Sequence, residues 1–134
     1  MLTLQDWVTS SGKYPERAKD PELTDEVKKE ADMLLHLVNS LLVDLGITSI
    51  KVSSGFRPSS VNSKVPNAAK KSLHMSGKAI DLEDPDNTLD SILASKTDLL
   101  DKYGLWLEHP DSTPHWTHLD KGTRTQRKVR IFHP

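Results

Sequence analysis

The chain has 134 residues, with 18 Lys and Arg against 19 Asp and Glu for a net charge of −1, and it contains no cysteine. That length suits one domain, and the missing cysteine excludes disulfides, thiolate nucleophiles and Cys-based metal sites, so any metal must be held by His, Asp or Glu. A charge near zero argues against a nucleic-acid partner, and the lack of any run of about 18 apolar residues argues against membrane insertion.

Residues 1–23 mix Trp7, Gly12, Tyr14, Pro15 and Pro21 without lasting periodicity and predict an irregular or briefly helical arm. From Thr24 the pattern changes. Val27, Ala31, Leu34, Leu35, Val38, Leu41, Leu42 and Leu45 recur at steps of three and four, which predicts an amphipathic helix capped by Thr24 or Asp25 and stopped at Gly46. Thr48 to Ser53 alternates apolar with polar and predicts a half-buried strand near the domain centre. Residues 54–73, rich in Ser, Asn, Pro, Gly and Lys, predict a long functional loop.

Lys78 to Glu83 predicts a second short strand. Leu89, Ile92, Leu93, Leu99 and Leu100 predict a second helix ending near Gly104. Leu105 to Glu108 and Trp116 to Leu119 predict two further strands around a Pro-containing turn, and Val129 to Phe132 a possible edge strand. The tail, residues 121–134, carries five cations and no acid between Lys121 and Arg130 and is expected to be a solvated, mobile end. No Gly-rich stretch has the spacing of a phosphate-binding loop.

Four of the six histidines, His74, His109, His115 and His118, flank strand-like segments in the later part of the chain. His74 precedes Asp81 by seven residues with Gly77 between them, so a loop imidazole and a strand carboxylate can converge. His118 shares a strand face with Trp116, and His115 lies at the strand's mouth, so a third nitrogen ligand is available. Two His and one Asp with a fourth position left open is the shell of a catalytic rather than a structural zinc site. Any one of these histidines alone reads more simply as an ordinary surface residue.

Three blocks occur in a telling order: Ser54-Gly55-Phe56-Arg57-Pro58, then Ser72-Leu73-His74-Met75-Ser76-Gly77-Lys78-Ala79-Ile80-Asp81, then His115-Trp116-Thr117-His118. In that order they resemble the zinc D-Ala-D-Ala-type peptidases of the M15 family, which share their fold with the Hedgehog signalling domain and include phage endolysins. The resemblance covers roughly residues 27–120, and its specific part is Ser-x-His-x-x-Gly-x-Ala-x-Asp. It implies an α+β fold with a small central antiparallel sheet packed against helices, in a single domain over residues 1–134. It also implies Zn²⁺ bound by His74, Asp81 and His118, with Arg57 steadying an oxyanion or a substrate carboxylate. The chemistry of each residue suits its role, since arginine's fixed, always charged fork matches either anion.

The implied reaction is hydrolysis of peptide bonds in peptidoglycan stem peptides or cross-links. The position three before the last implied ligand usually holds Glu or Asp as general base, and here it is His115. Imidazole, with an ordinary pKa near 6.5, can do that work. His115 is therefore the preferred base and Glu108 the other candidate. Ser72, Ser53 and Trp116 are candidate substrate contacts, with Trp116 as a pocket wall. Asp120 reads equally as a hydrogen-bonding neighbour of His118 or as an exposed charge.

A monomer made in the cytoplasm without a signal peptide is expected. It would act on the bacterial wall through holin-type release or as a virion component. A second reading, prompted by His115 in place of a carboxylate, is a catalytically inactive zinc-bearing binding or virion assembly domain.

Overall fold

The computed structural model describes residues 1–66, 68–125 and 129–134. The long helix α2, Asp25–Asp44, starts at Thr24, whose side chain accepts from the Val27 amide at 3.2 Å, and its acids Asp25 and Glu26 sit at the positive end of the dipole. Ala31, Leu34, Leu35, Val38, Leu41 and Leu42 form its buried stripe. Beyond the helix Gly46 takes a left-handed φ of 72°, and the Ile47 amide reaches back to the Leu42 carbonyl at 2.9 Å.

Strands β1 (Val52–Ser54), β2 (Ala79–Glu83), β3 (Trp106–Glu108), β4 (Trp116–Asp120) and β5 (Ile131–Phe132) form one sheet in the order β1-β2-β4-β3-β5. The fold is α+β with a central sheet against helices, as expected. The sheet is mixed rather than wholly antiparallel, because β5 joins β3 in parallel. The predicted strand from Thr48 shrinks to β1 and lies at the sheet edge instead of the centre, pairing with β2 through an irregular register between Val52 and Ser54. Alternation along β2 and β4 turns Ile80, Leu82 and Leu119 into the core cluster that α2 completes. The same alternation puts Asp81, His118 and Asp120 on the opposite face.

The predicted second helix is two: α4 (Thr88–Ser95) and α5 (Thr97–Tyr103), separated at Lys96, whose φ of −124° and ψ of 52° are not helical. Within residues 54–73 one short helix, α3 (Ser59–Asn62), forms. The N-terminal arm is helical at α1 (Leu4–Thr9) and closely integrated. Trp7 is fully buried and its indole N–H donates to the Ala79 carbonyl at 2.9 Å, while its own carbonyl accepts from the Phe56 amide at 2.9 Å.

The tail departs from the solvated end expected of it. Phe132 is buried, and the Arg130 Nε donates to the Leu105 carbonyl at 2.8 Å, tying β5 to the start of β3. Two of the tail's five cations, Arg127 and Lys128, lie outside the described residues.

Candidate metal centre

The register of β2 and β4 builds the centre. Asp81 and His118 are direct antiparallel partners, so their side chains leave the same face side by side. His118 Nδ1 lies 2.7 Å from Asp81 Oδ1, and His74 Nε2 lies 3.4 Å from Asp81 Oδ2. One donor atom from each of His74, Asp81 and His118 falls within 4.8 Å of the others. All three side chains are nearly inaccessible, which is unusual for ionisable groups unless they serve one another or a metal.

His74 reaches the sheet from the loop because of a chain of close contacts. Its Nδ1 is 2.8 Å from the Gly55 carbonyl. A carbonyl only accepts, so Nδ1 carries a proton and Nε2 is the nitrogen that faces Asp81. Gly55 is itself fixed: a Cβ there would stand 1.9 Å from the Trp7 carbonyl oxygen, so no larger residue fits. The Ser72 hydroxyl accepts from the His74 amide at 3.2 Å and holds the loop from the other side.

His118 is oriented differently. Its second nitrogen, Nε2, lies 2.7 Å from Asp120 Oδ2, so the ring is held between two carboxylates. Burial opposes charge on the ring, but the hydrogen bonds to Asp120 and Asp81 outweigh it and push the His118 pKa up to about 10. Burial likewise disfavours the Asp81 anion, yet His74 and His118 hold its carboxyl well below the usual range. A cluster that stabilises a proton between carboxylate and imidazole offers the same lone pairs to a cation.

The donor set suits zinc by its chemistry. His74 Nε2 and His118 Nδ1 both lie against the Asp81 carboxylate, at 3.4 and 2.7 Å, the shorter being a hydrogen-bond distance. Two imidazole nitrogens and one carboxylate also match the nitrogen-and-oxygen preference of that ion.

Arg57 stands beside the cluster, its Nη2 3.9 Å from Asp81 Oδ2. Asn62 Oδ1 and Ser54 Oγ accept from the guanidinium at 3.3 and 3.4 Å and aim it. Burial lowers its pKa and Asp81 opposes that shift. No local sequence pattern points to Asn62 or Ser54 for this role; the expected Ser53 meets Lys13 instead, its carbonyl accepting from Lys13 Nζ at 3.2 Å.

His115 lies just before β4 with a φ of 73°, a costly conformation for a non-glycine residue. The turn at residues 84–87 enforces it. Asn87 Oδ1 accepts from the His115 amide at 3.2 Å, and the Asp84 amide donates to the His115 carbonyl at 3.1 Å. The ring Nδ1 donates to the Pro85 carbonyl at 3.0 Å, and the residue is exposed.

Asp84 anchors that turn by accepting from the Leu89 and Asp90 amides and from the Thr117 hydroxyl. Trp116 shares the His118 face of β4 and is half-buried. Glu108 continues the β3–β4 register to a place beside His118, and burial raises its pKa.

Residues 12–120 match the family model described as Peptidase M15. No match was found among curated proteins or among solved structures. The family match spans most of the chain and contains every residue of the His-Asp-His cluster. The chain therefore belongs to the M15 peptidase family.

Proposed function

With M15 membership as the premise, we propose that the protein is a zinc peptidase that hydrolyses peptide bonds in peptidoglycan stem peptides or cross-links, as an endolysin-type endopeptidase or a D,D-carboxypeptidase. The observation that carries the reading is that His74, Asp81 and His118 each bring a donor atom to within 4.8 Å of the others, with His74 Nδ1 engaged by the Gly55 carbonyl. These three residues would hold the ion. Zinc bound there supplies a Lewis acid for the scissile carbonyl and brings the pKa of water to about 7.

The chain's own residues account for the rest. The Arg57 fork, held by Asn62 and Ser54, faces the same side as Asp81 and neutralises an oxyanion or a terminal carboxylate. His115 Nε2 takes a proton from water as the new carbon–oxygen bond forms. It returns that proton to the leaving amine as the carbon–nitrogen bond breaks. Its Nδ1–H bond to Pro85 supports this role because it fixes the ring through one nitrogen and leaves the other out of that contact. Trp116 walls the substrate, while Ser72 and Ser53 flank it.

The protein is proposed to act as a monomer. The N-terminal arm packs beneath β2 and the tail against β3, which supports a single domain over residues 1–134. Among the described residues no helix is long and apolar enough to cross a membrane. The proposed place of action is the bacterial wall, reached by holin-type release or from a virion.

The test is peptide release from purified peptidoglycan, with fragments identified by mass spectrometry, for zinc-loaded protein, chelator-treated protein and His115→Ala. Zinc-dependent release that fails in the variant is the expected result and identifies the bond. Stoichiometric zinc with no release from any wall type would favour the non-enzymatic binding-domain reading.

A further inference from the structure

The M15 match ends at Asp120, yet the structure continues to build around His118 beyond that point. Asp120 is fully buried, and its two oxygens are completely engaged. Oδ2 meets His118 Nε2 at 2.7 Å and Arg124 Nη2 at 3.0 Å; Oδ1 meets Arg124 Nη1 at 2.6 Å and the Gly122 amide at 3.0 Å. The Arg124 guanidinium is clamped in turn, its central carbon 3.7 Å from the centre of the Phe132 ring. Phe132 also packs edge-on to the His118 ring at 5.8 Å between centres.

Resting on the zinc reading above, we propose that Asp120 and Arg124 are positioning residues for the metal. By receiving the Nε2–H of His118, Asp120 turns Nδ1 into the cluster, fixes that tautomer and makes Nδ1 a stronger electron-pair donor. Arg124 makes this possible. A buried carboxylate without a partner is strongly unfavourable, and the two-pronged guanidinium pair both neutralises Asp120 and fixes the plane of its oxygens.

A backbone carbonyl does the equivalent work for His74, so only one of the two histidines depends on charge. The segment after residue 120 thereby becomes part of the site rather than an appendage. Asp120 acts on the metal through His118, and Arg124 acts through Asp120. Lysine cannot reproduce the fork and would restore the function only in part.

The experiment is competition for zinc between the full chain and a chromophoric chelator, with circular dichroism of each metal-free variant and the visible spectrum of its cobalt(II) form. Asp120→Asn should weaken zinc binding about 10- to 100-fold, the usual effect of losing such a partner, and change the cobalt band. Arg124→Gln should weaken it by about 10-fold, with Arg124→Lys in between. Lys102→Gln, which removes an exposed ion pair with Asp44 elsewhere, should stay within about twofold.

Affinities within about twofold of the unaltered protein for both Asp120→Asn and Arg124→Gln would overturn the proposal. If Asp120→Asn fails to fold, Arg124→Gln decides the matter, since it leaves the carboxylate in place. Failure of the unaltered chain to bind zinc is a different result, which removes the metal reading and this inference with it.

Discussion

His74 and His118 turn one nitrogen each toward the same carboxylate, but they are held there by opposite means. His74 hangs on a neutral hydrogen bond to Gly55, and its place depends on how tightly Gly55 packs against Trp7. His118 sits on a strand whose register already puts it opposite Asp81, and its ring is aimed by the buried Asp120–Arg124 pair. The loop side is thus controlled by shape and the strand side by charge. Each should fail under a different perturbation.

Removing either imidazole erases the difference, and the effect should be the largest. His74→Ala and His118→Ala are both expected to abolish zinc binding and peptide hydrolysis while leaving the far-ultraviolet spectrum folded. A variant that keeps full activity would contradict the assignment.

Shape is probed on the loop side by Gly55→Ala. The added carbon collides with a backbone oxygen that already accepts from Phe56, so a loss of about 3 kcal/mol in denaturant unfolding is expected, with zinc affinity falling as the loop shifts. Unchanged stability would mean that the close approach to Trp7 does not constrain His74.

Arg57→Lys alters neither imidazole, since the Arg57 contact with His74 runs through its backbone amide. It should retain zinc but lower kcat/KM about 100-fold, because lysine cannot hold the planar anion. A near-normal kcat/KM would remove Arg57 from the reaction.

The pH dependence of the metal-free protein comes from the charged side alone. The His118 pKa rises from 6.5 to about 10 on folding, so the stability it contributes is complete below about pH 6.5 and disappears as pH climbs through about 10. Asp81 is shifted down, so its contribution holds above about pH 3.8 and is lost as pH falls. Melting temperatures measured without metal should therefore decline between pH 6.5 and 10. Zinc affinity should rise over the same interval, since binding displaces the His118 proton. A melting temperature that climbs with pH would contradict the carboxylate-held imidazolium.

Much of this was legible in the sequence. The three-four spacing in α2, the cap at Thr24 and the seven-residue step from His74 to Asp81 are local signals that folding leaves intact. The position of β1 was not, because an alternating run states that one face is buried but not whether a strand has one neighbour or two. The break at Lys96 was obscured by leucines that suit two short helices as well as one long helix.

Asp120 illustrates the limit most clearly. Its two-residue spacing from His118 placed it on the correct face, but its pairing with Arg124, which Phe132 covers in turn, is a contact that the alternation of β4 does not announce. Likewise, Asn62 and Ser54 meet Arg57 through the loop's tertiary path, for which the residues carry no local pattern.

The most direct test of the central claim is native mass spectrometry of the zinc-loaded chain together with X-ray absorption at the zinc edge. One zinc per chain with two imidazole shells, reduced to none in His118→Ala, is the predicted result. A chain that binds no zinc, or holds it without imidazole neighbours, would contradict the account.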